Sequence, residues 1–285
     1  MKEIEKIFSH LEGRFEKLSQ NQKLLGKYIL DNYQKVAFAT IEQLSAESGV
    51  SGATIVRFAK AMGYKGYPAF QKEIRRIVRA DLKGSERYNI DYEFRAREND
   101  PLSRTQQKEL ENLSHLRETL DVSEFNKAVE TIHRSQNILV IGSRSTASLA
   151  YHLWFGLTKL ELNVSKITTV NSEAYDRMNK RNRPDLVILI GFPRYLRELK
   201  ELLDLAKEKD VNTIIISDSP FSPFRGDINL YSPAESASFM AFHCAPLILI
   251  NALIDHVGML DRDRTLNALD RFDKLAAERK YFIKA

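Results

Sequence analysis

The sequence of 285 residues contains 43 Lys or Arg, 38 Asp or Glu and a single cysteine, Cys244. It has no apolar run of about 18 residues, and its first ten residues lack the apolar segment of a signal peptide, which argues against a transmembrane helix and a secreted protein. One cysteine excludes an internal disulfide framework. We therefore expect a soluble, cytoplasmic protein of two domains, with Cys244 as a buried structural thiol among apolar neighbours.

Residues 1–80 have helical periodicity, and residues 41–62 within them read IEQLSAESGVSGATIVRFAKAM. Four apolar residues are spaced to pack two short helices against each other: Leu44, Val50, Ile55 and Phe58. Gly49 is expected to end the first helix in a left-handed conformation. Ser51 is expected to cap the second helix by accepting a backbone N–H near Thr54. This pattern predicts a helix-turn-helix.

The second helix of this motif presents small, hydrogen-bonding and cationic side chains outward, as a helix that enters the major groove of DNA does. Residues 1–80 contain 14 Lys or Arg and 8 Asp or Glu, whereas the rest of the chain is nearly neutral. Cations after the motif, interleaved with Tyr64, Tyr67 and Phe70, are placed for DNA phosphates: Lys65, Lys72, Arg75, Arg76 and Arg79. We predict base or nearby phosphate contacts for Ser51, Ala53, Thr54 and Arg57, and backbone contacts for Lys60, Lys65 and Tyr67. A helical hairpin without a DNA role is the alternative.

Residues 81–102 are polar and charged, which predicts a linker between the helix-turn-helix domain, 1–80, and a second domain, 103–285. Helical periodicity resumes near Ser103. From Asn137, short runs rich in Ile and Val alternate with helical segments, which predicts βαβ units. The expected fold is therefore an all-α domain followed by an α/β domain with a parallel sheet of about five strands flanked by helices.

The predicted strands contain ILVIG, VSKITTV, LVILIG, TIIISD and INLYS, and a long helix is expected from about Ser236 to Val257. Three of these strands end in loops rich in Gly, Ser or Pro, at residues 142–145, 191–194 and 217–220. Open α/β sheets bind ligands beyond the carboxyl ends of their strands. A small molecule is therefore expected to bind in the second domain.

In this order of parts the chain resembles the RpiR (also called MurR/RpiR) family of bacterial transcription regulators, in which a helix-turn-helix precedes a sugar isomerase (SIS) domain. In the first domain the resemblance rests on IEQLSAESGVSGATIVRFAKAMGYKGYPAFQ, and in the second on VIGSRSTASLA, IISDSPFSP and PLILINALI. The resemblance implies DNA-binding dimers or tetramers. It also implies that the SIS domain senses carbohydrate derivatives such as phosphorylated sugars, or related metabolites.

A sugar-phosphate site in the SIS domain would have two loops rich in Ser and Thr, because hydroxyl and N–H groups at helix N-termini suit a phosphate. The first loop is partly present as Gly142, Ser143, Ser145 and Thr146, with Arg144 where the family often has a glycine. The second reads GFPRYL at residues 191–196, where the family typically has Ser-x-Ser-Gly-x-Thr. Three hydroxyl positions are therefore lost.

Arginine offers a different route to an anion, because a guanidinium pairs bidentately with a carboxylate or phosphate. We expect a small anionic metabolite, a phosphosugar or a carboxylate, held by Arg194 opposite Ser143 and Ser145. The predicted ligand-binding residues are Gly142, Ser143, Arg144, Ser145, Thr146, Arg194 and Glu235. The alternative is that Arg194 and Arg197 form helix ion pairs, for example with Glu198 and Glu201, or lie in a subunit interface.

Two other functions stay open from the sequence. In a sugar-phosphate isomerase, Glu235 would be the nearest base and His243 would follow on the next helix. In a ligand-independent DNA-bridging oligomer, the apolar residues between Leu266 and Phe282 would cover a partner, although this segment would equally pack on its own domain.

The interpretation we favour is a non-enzymatic regulator of a metabolic operon that binds double-stranded operator DNA as a homodimer or homotetramer. A small anionic effector in the SIS domain would alter its affinity for DNA. We expect no cofactor, no membrane and no metal, because the histidines lack ligand spacing.

Overall fold

A computed structural model describes residues 18–37, 39–81, 85, 100, 102–182, 185–236, 240 and 243–283, with the side chains of residues 76, 77 and 79–81 outside the description. The chain divides into two compact units, Met1–Glu93 and Phe94–Ala285. Most of the predicted linker, 81–102, lies outside the described residues, so the predicted domain boundaries stay a prediction.

The described residues of the first unit form helices and their connections. The helices are α1 (Gln20–Val36), α2 (Ile41–Ser48), α3 (Gly52–Ala61) and α4 (Tyr67–Asp81). The four apolar residues predicted to join the helix pair are all buried: Leu44, Val50, Ile55 and Phe58. Phe58 also packs edge to face on Phe70 of α4, with ring centroids 5.5 Å apart. Apolar burial at helical spacing therefore fixes α2 and α3 on one core.

The turn between α2 and α3 has the predicted left-handed glycine. Gly49 has φ 69° and donates its N–H to the carbonyl of Ser45 at 3.1 Å. Thr40 begins α2 with a capping box, in which its hydroxyl accepts from the Gln43 N–H at 3.2 Å. Ser51 does occupy the N-cap of α3, but the prediction that its hydroxyl accepts a backbone N–H is wrong. Its Oγ instead lies 3.0 Å from Thr54 Oγ1, and the two hydroxyls share one hydrogen bond.

The second unit alternates strands and helices. In chain order it contains α5 (Ser103–Thr119), α6 (Val122–Arg134), β1 (Ile138–Ile141), a 3-10 turn (Arg144–Thr146), α7 (Ala147–Lys159), β2 (Val164–Ile167), α8 (Ser172–Asn179), β3 (Leu186–Ile190), α9 (Arg197–Glu208), β4 (Asn212–Ser217), β5 (Ile228–Tyr231), α10 (Cys244–Leu260) and α11 (Arg262–Arg279).

The strands form one parallel sheet of five strands in the order β2-β1-β3-β4-β5, which confirms the predicted α/β fold. In register, Ile138 of β1 lies beside Val164 on one side and Leu186 on the other. Alternate side chains of the central strands point to two apolar layers, one with α5, α6, α7 and α10 and one with α8 and α9. β1 and β3 are therefore apolar at every position.

Two details of α10, the long helix predicted to begin near Ser236, differ from the prediction. It begins at Cys244 rather than near Ser236, with Pro246 in its first turn, where the missing N–H has no partner to lose. The Cys244 side chain is exposed, not buried, because the core side of this first turn is taken by Ala245 and Pro246. Among the described helices, none alone is long and apolar enough to cross a bilayer, although α10 and α11 meet the criterion as a pair bent by 107°.

Helix α11 packs back on its own unit. Arg271 pairs with Glu161, which follows α7, and the Lys159 ammonium lies 3.1 Å from the centroid of the Phe272 ring. This arrangement favours the interpretation in which the segment covers its own domain. Its other face still leaves leucines exposed: Leu266, Leu269 and Leu275.

Candidate functional site: a recognition helix and the carboxyl edge of the sheet

Most of the side chains predicted to face DNA share the solvent-facing side of α3 and its flanks. Ser51, Ala53, Arg57, Lys60 and Lys65 are exposed, and Thr54 is partly exposed. Ile55 and Phe58 on the opposite side of α3 are buried, so the helix is fixed with this polar face outward. Arg57 Nε donates to the carbonyl of Ala53 at 3.3 Å, which lays the guanidinium stem along the helix surface.

Tyr67 does not belong to this surface, and its prediction as a phosphate contact is wrong. Its side chain is 3% exposed, and its hydroxyl donates to the carbonyl of Ala39 at 3.1 Å. Burial raises the pKa of Tyr67 to about 12, against the lowering effect of nearby Arg75 and of a hydrogen bond with Gln71. The tyrosine is held inward because backbone carbonyls after α1 need donors that the helix itself cannot supply.

Arg75 serves the same end of α1 while its side chain stays exposed, so its phosphate contact remains a prediction. Its Nε donates to the carbonyl of Ala37 at 2.6 Å, and its Nη2 donates to Gln71 Oε1 at 2.9 Å. Phe70 and partly buried Tyr64 belong to the core rather than to a surface for DNA. Lys65 and Lys72 stay exposed, and the side chains of Arg76 and Arg79 lie outside the described residues.

The second candidate site is the edge of the sheet where β1 and β3 end. β2 lies outside β1 and β4 lies outside β3, so successive connections leave the β1–β3 pair in opposite directions. Such a switch point opens a crevice at the carboxyl ends of the two strands, which is the usual ligand position in this class of sheet. The loops at residues 142–146 and 191–196 follow these two strands and therefore flank one crevice.

The loop after β1 is tightly built around small residues. A Cβ on Gly142 would lie 2.6 Å from the carbonyl oxygen of Thr146, so only glycine fits there without a shift. Arg144 has φ 56°, the left-handed conformation that favours glycine and agrees with the glycine expected from the family resemblance. Ser143 is partly exposed, and Arg144 and Ser145 are exposed.

Thr146 differs from the other residues of this loop, and the prediction that it contacts the ligand is wrong. It is 4% exposed. Its Oγ1 accepts from the Ser143 N–H at 3.0 Å and donates to the Ser143 carbonyl at 3.0 Å. The hydroxyl is thus committed to closing the loop and holds Ser143 in place.

The loop after β3 is filled by aromatic side chains where hydroxyls were expected from the family resemblance. Phe192 is 4% exposed and packs near His243, with ring centroids 5.9 Å apart. The Tyr195 hydroxyl donates to Asp218 Oδ1 at 2.6 Å, which ties this loop to the loop after β4. Arg194, in this same loop after β3, is exposed.

Arg197 has the structural role that the alternative interpretation gave it. It starts α9, is 89% exposed at its side chain and donates from Nε to Glu201 Oε1 at 2.9 Å. The same carboxylate accepts from the Tyr175 hydroxyl at 2.7 Å. The hydrogen bonds from Tyr175 and Arg197 lower the pKa of Glu201, against a small opposing effect of burial.

Glu235 lies between β5 and α10, on the layer that contains α5. Its Oε2 is 2.6 Å from Lys108 Nζ, and both side chains are about three-quarters buried, with 28% and 22% exposed. Burial would lower the pKa of Lys108, but the carboxylates of Glu235 and Glu111 outweigh it and raise the pKa. The backbone carbonyl of Glu235 also accepts from Asn112 Nδ2 at 2.8 Å.

Lys108 and Asn112 were missed from the sequence, because they precede Glu235 by more than 120 residues and belong to no motif. The ion pair also bears on the isomerase interpretation, since the carboxylate proposed as a base is bound to an ammonium. Burial lowers the pKa of His243, the other candidate group, against the opposing effect of Glu109. Within the described ranges, no group of His, Cys, Asp and Glu is arranged to hold a metal ion.

Comparison with known proteins adds two family matches. The family described as "Helix-turn-helix domain, rpiR family" matches residues 5–78, and the SIS domain matches residues 131–255. The HTH-type transcriptional regulator HexR of Escherichia coli is 26% identical over 223 residues, covering 77% of this chain and 73% of HexR. An uncharacterized HTH-type transcriptional regulator, YfhH, of the same species is 24% identical and covers 84% of this chain and 87% of YfhH.

Two solved structures share the fold. The sugar isomerase domain of an RpiR transcription factor from Sphaerobacter thermophilus covers 60% of this chain and 96% of its own, with 24% identity and a TM-score of 0.58. The Vibrio vulnificus NanR protein, solved with ManNAc-6P, covers 97% of this chain and 98% of its own, with 18% identity and a TM-score of 0.60.

Proposed function

Because the chain is a transcriptional regulator of the RpiR family, with a helix-turn-helix and a SIS domain, we propose how its two sites act together. It binds a palindromic or direct-repeat operator of a metabolic operon as a cytoplasmic homodimer or homotetramer. A small anionic metabolite binds at the carboxyl edge of the sheet and alters the affinity for DNA. The protein does no chemistry on this metabolite.

The observation that carries the proposal is the exposed face of α3. Arg57 and Lys60 supply cations, and the smaller Ser51, Ala53 and Thr54 at the start of the helix allow a close approach to base edges. One such helix reads only a few base pairs, so two copies are needed for a specific site. An oligomer with two recognition helices meets this requirement.

The effector half is supported by the crevice between β1 and β3. Exposed Arg144 and Arg194 stand on its two loops, and Ser143 and Ser145 add hydroxyls on the first. Guanidinium groups bind phosphates and carboxylates alike, which fits an anion even though the second loop has lost its hydroxyls. NanR was solved with ManNAc-6P, and by analogy we place phosphosugars first among the candidates.

The DNA half is tested by selecting operators from a random duplex library with the purified full chain. We expect enrichment of a repeated half-site, with binding that weakens steeply as salt rises because phosphate contacts release counterions. Enrichment of no sequence over several rounds would refute the proposed regulator.

The effector half is tested by thermal shift with ManNAc-6P, other phosphosugars, small carboxylates and inorganic phosphate. An anion that stabilises the wild type should lose most of its effect in Arg194→Ala, while Arg197→Ala, whose side chain pairs with Glu201, serves as the matched control. A shift that survives Arg194→Ala would contradict the role of Arg194. The same anion should change operator affinity, and unchanged affinity would instead support a ligand-independent bridging protein.

A further inference from the structure

Helix α5 is the first described helix of the second unit, and it follows the segment that leads from the DNA-binding helices. Its apolar contacts with the core lie in its C-terminal half, where Leu116 is buried and Leu113 and Leu120 are partly buried. In the N-terminal half, closest in sequence to the first unit, polar contacts through Lys108 and Glu109 hold the helix to the domain. The linker end of α5 therefore depends on polar contacts.

These polar contacts reach Cys244 at the start of α10 and residues 232–236 after β5, which we call the Glu235 segment. Lys108 pairs with the Glu235 carboxylate at 2.6 Å, and Asn112 donates to the Glu235 carbonyl at 2.8 Å. The N–H of Cys244 donates to Glu109 Oε1 at 3.3 Å. Side chain and main chain of Glu235 are thus both bound to a single turn of α5.

The contacts between the Glu235 segment and α5 are largely buried, which makes them costly to break. Asn112 is 2% exposed, and Lys108 and Glu235 are both mostly buried. Loss of its partner costs a buried polar group more free energy than an exposed one, so separating the segment from the helix is unfavourable. Lys127, which pairs with Glu124 on α6, differs from Lys108 because its side chain is 61% exposed and water can replace its partner.

We propose that Lys108 and Asn112 are positioning residues that couple the Glu235 segment to α5, so that occupancy of the carboxyl edge and occupancy of DNA are felt through this helix. The inference rests on the proposed function, because it needs both sites. A ligand that hydrogen-bonds Glu235 fixes the segment, and α5 follows through the ion pair and the amide. Such coupling is reciprocal, so DNA binding must also alter the Glu235 segment.

This reciprocity gives a test that needs no effector. Hydrogen exchange of the full chain is compared with and without the duplex recovered by selection. In the wild type, operator binding should change exchange of amides in α5 and near Glu235 by about fivefold or more, the lower end of typical coupling. The change should persist in Lys108→Arg and in the control Lys127→Met, and should be lost near Glu235 in Lys108→Met and in Asn112→Ala.

The outcomes distinguish failure of the coupling from failure of the proposed function. DNA binding by the wild type without a change near Glu235, or the same change in Lys108→Met, would overturn the coupling and leave the proposed regulator intact. If Lys108→Met lowers the thermal midpoint too far to compare, Asn112→Ala with Lys108→Arg gives the same contrast. If no duplex is enriched, the proposed function fails and the coupling fails with it.

Discussion

Arg57→Ala is the sharpest single test of the recognition helix. Arg57 is exposed on α3, and within the described part of the chain it makes one long hydrogen bond, to the Ala53 carbonyl at 3.3 Å. Its removal should therefore change the free energy of unfolding by no more than about 0.5 kcal/mol, as for ordinary surface residues. Any large effect on DNA binding then reports a lost contact with DNA rather than a damaged fold.

The expected size follows from the chemistry of the contact. A bidentate guanidinium contact with a base contributes about 1–3 kcal/mol, which corresponds to roughly a 5- to 150-fold weaker affinity for each half-site. Two protomers on a repeated operator would multiply this loss. Lys72→Ala, on α4, is the comparison, because loss of one phosphate contact should weaken all sequences equally and reduce the salt dependence by about one counterion.

The assay is fluorescence anisotropy on the selected operator and on a scrambled duplex, at several salt concentrations. Arg57→Ala should lose affinity for the operator much more than for the scrambled duplex, and more than Lys72→Ala does. Wild-type operator affinity in Arg57→Ala would show that α3 is not the recognition helix. An equal loss of affinity for both duplexes would show that Arg57 contacts a phosphate and not a base.

Three further predictions concern the second unit. Gly191→Ala should lower the free energy of unfolding by about 1–3 kcal/mol, and the thermal midpoint with it, because its Cβ would lie 2.2 Å from the fully buried ring of Phe224. An unchanged midpoint would show that this ring can move. Since burial lowers the pKa of His243 below its ordinary 6.5, unfolding takes up a proton under acid conditions. The stability that His243 contributes is then present above that value and lost as the pH falls. Urea unfolding between pH 7 and 5.5 should show a smaller loss in His243→Asn than in the wild type, and equal losses would assign the acid sensitivity elsewhere. Leu269→Lys on the exposed face of α11 should reduce the oligomer mass in light scattering if that face joins two copies, whereas an unchanged mass would place the interface elsewhere.

Much of the architecture could be predicted because it follows from local periodicity. The apolar spacing around Gly49 places two helices on one core, and only a left-handed residue closes that turn. Likewise, the runs of Ile and Val in β1 and β3 predict strands buried on both faces, which in turn require a parallel sheet covered by helices. These features depend on neighbours in sequence, so the sequence alone determines them.

The roles of individual polar side chains were decided only by tertiary contacts. Tyr67 has a hydroxyl that could contact a phosphate, but the side chain is buried and the hydroxyl donates to the Ala39 carbonyl beyond α1. Thr146 has the hydroxyl of a ligand site and uses it to close its own loop. Lys108 carries no local signal, and it acquires its partner because folding brings it to a carboxylate 127 positions later, at Glu235. A buried polar group must find a partner wherever the fold supplies one, and the distance along the chain does not reveal where that is.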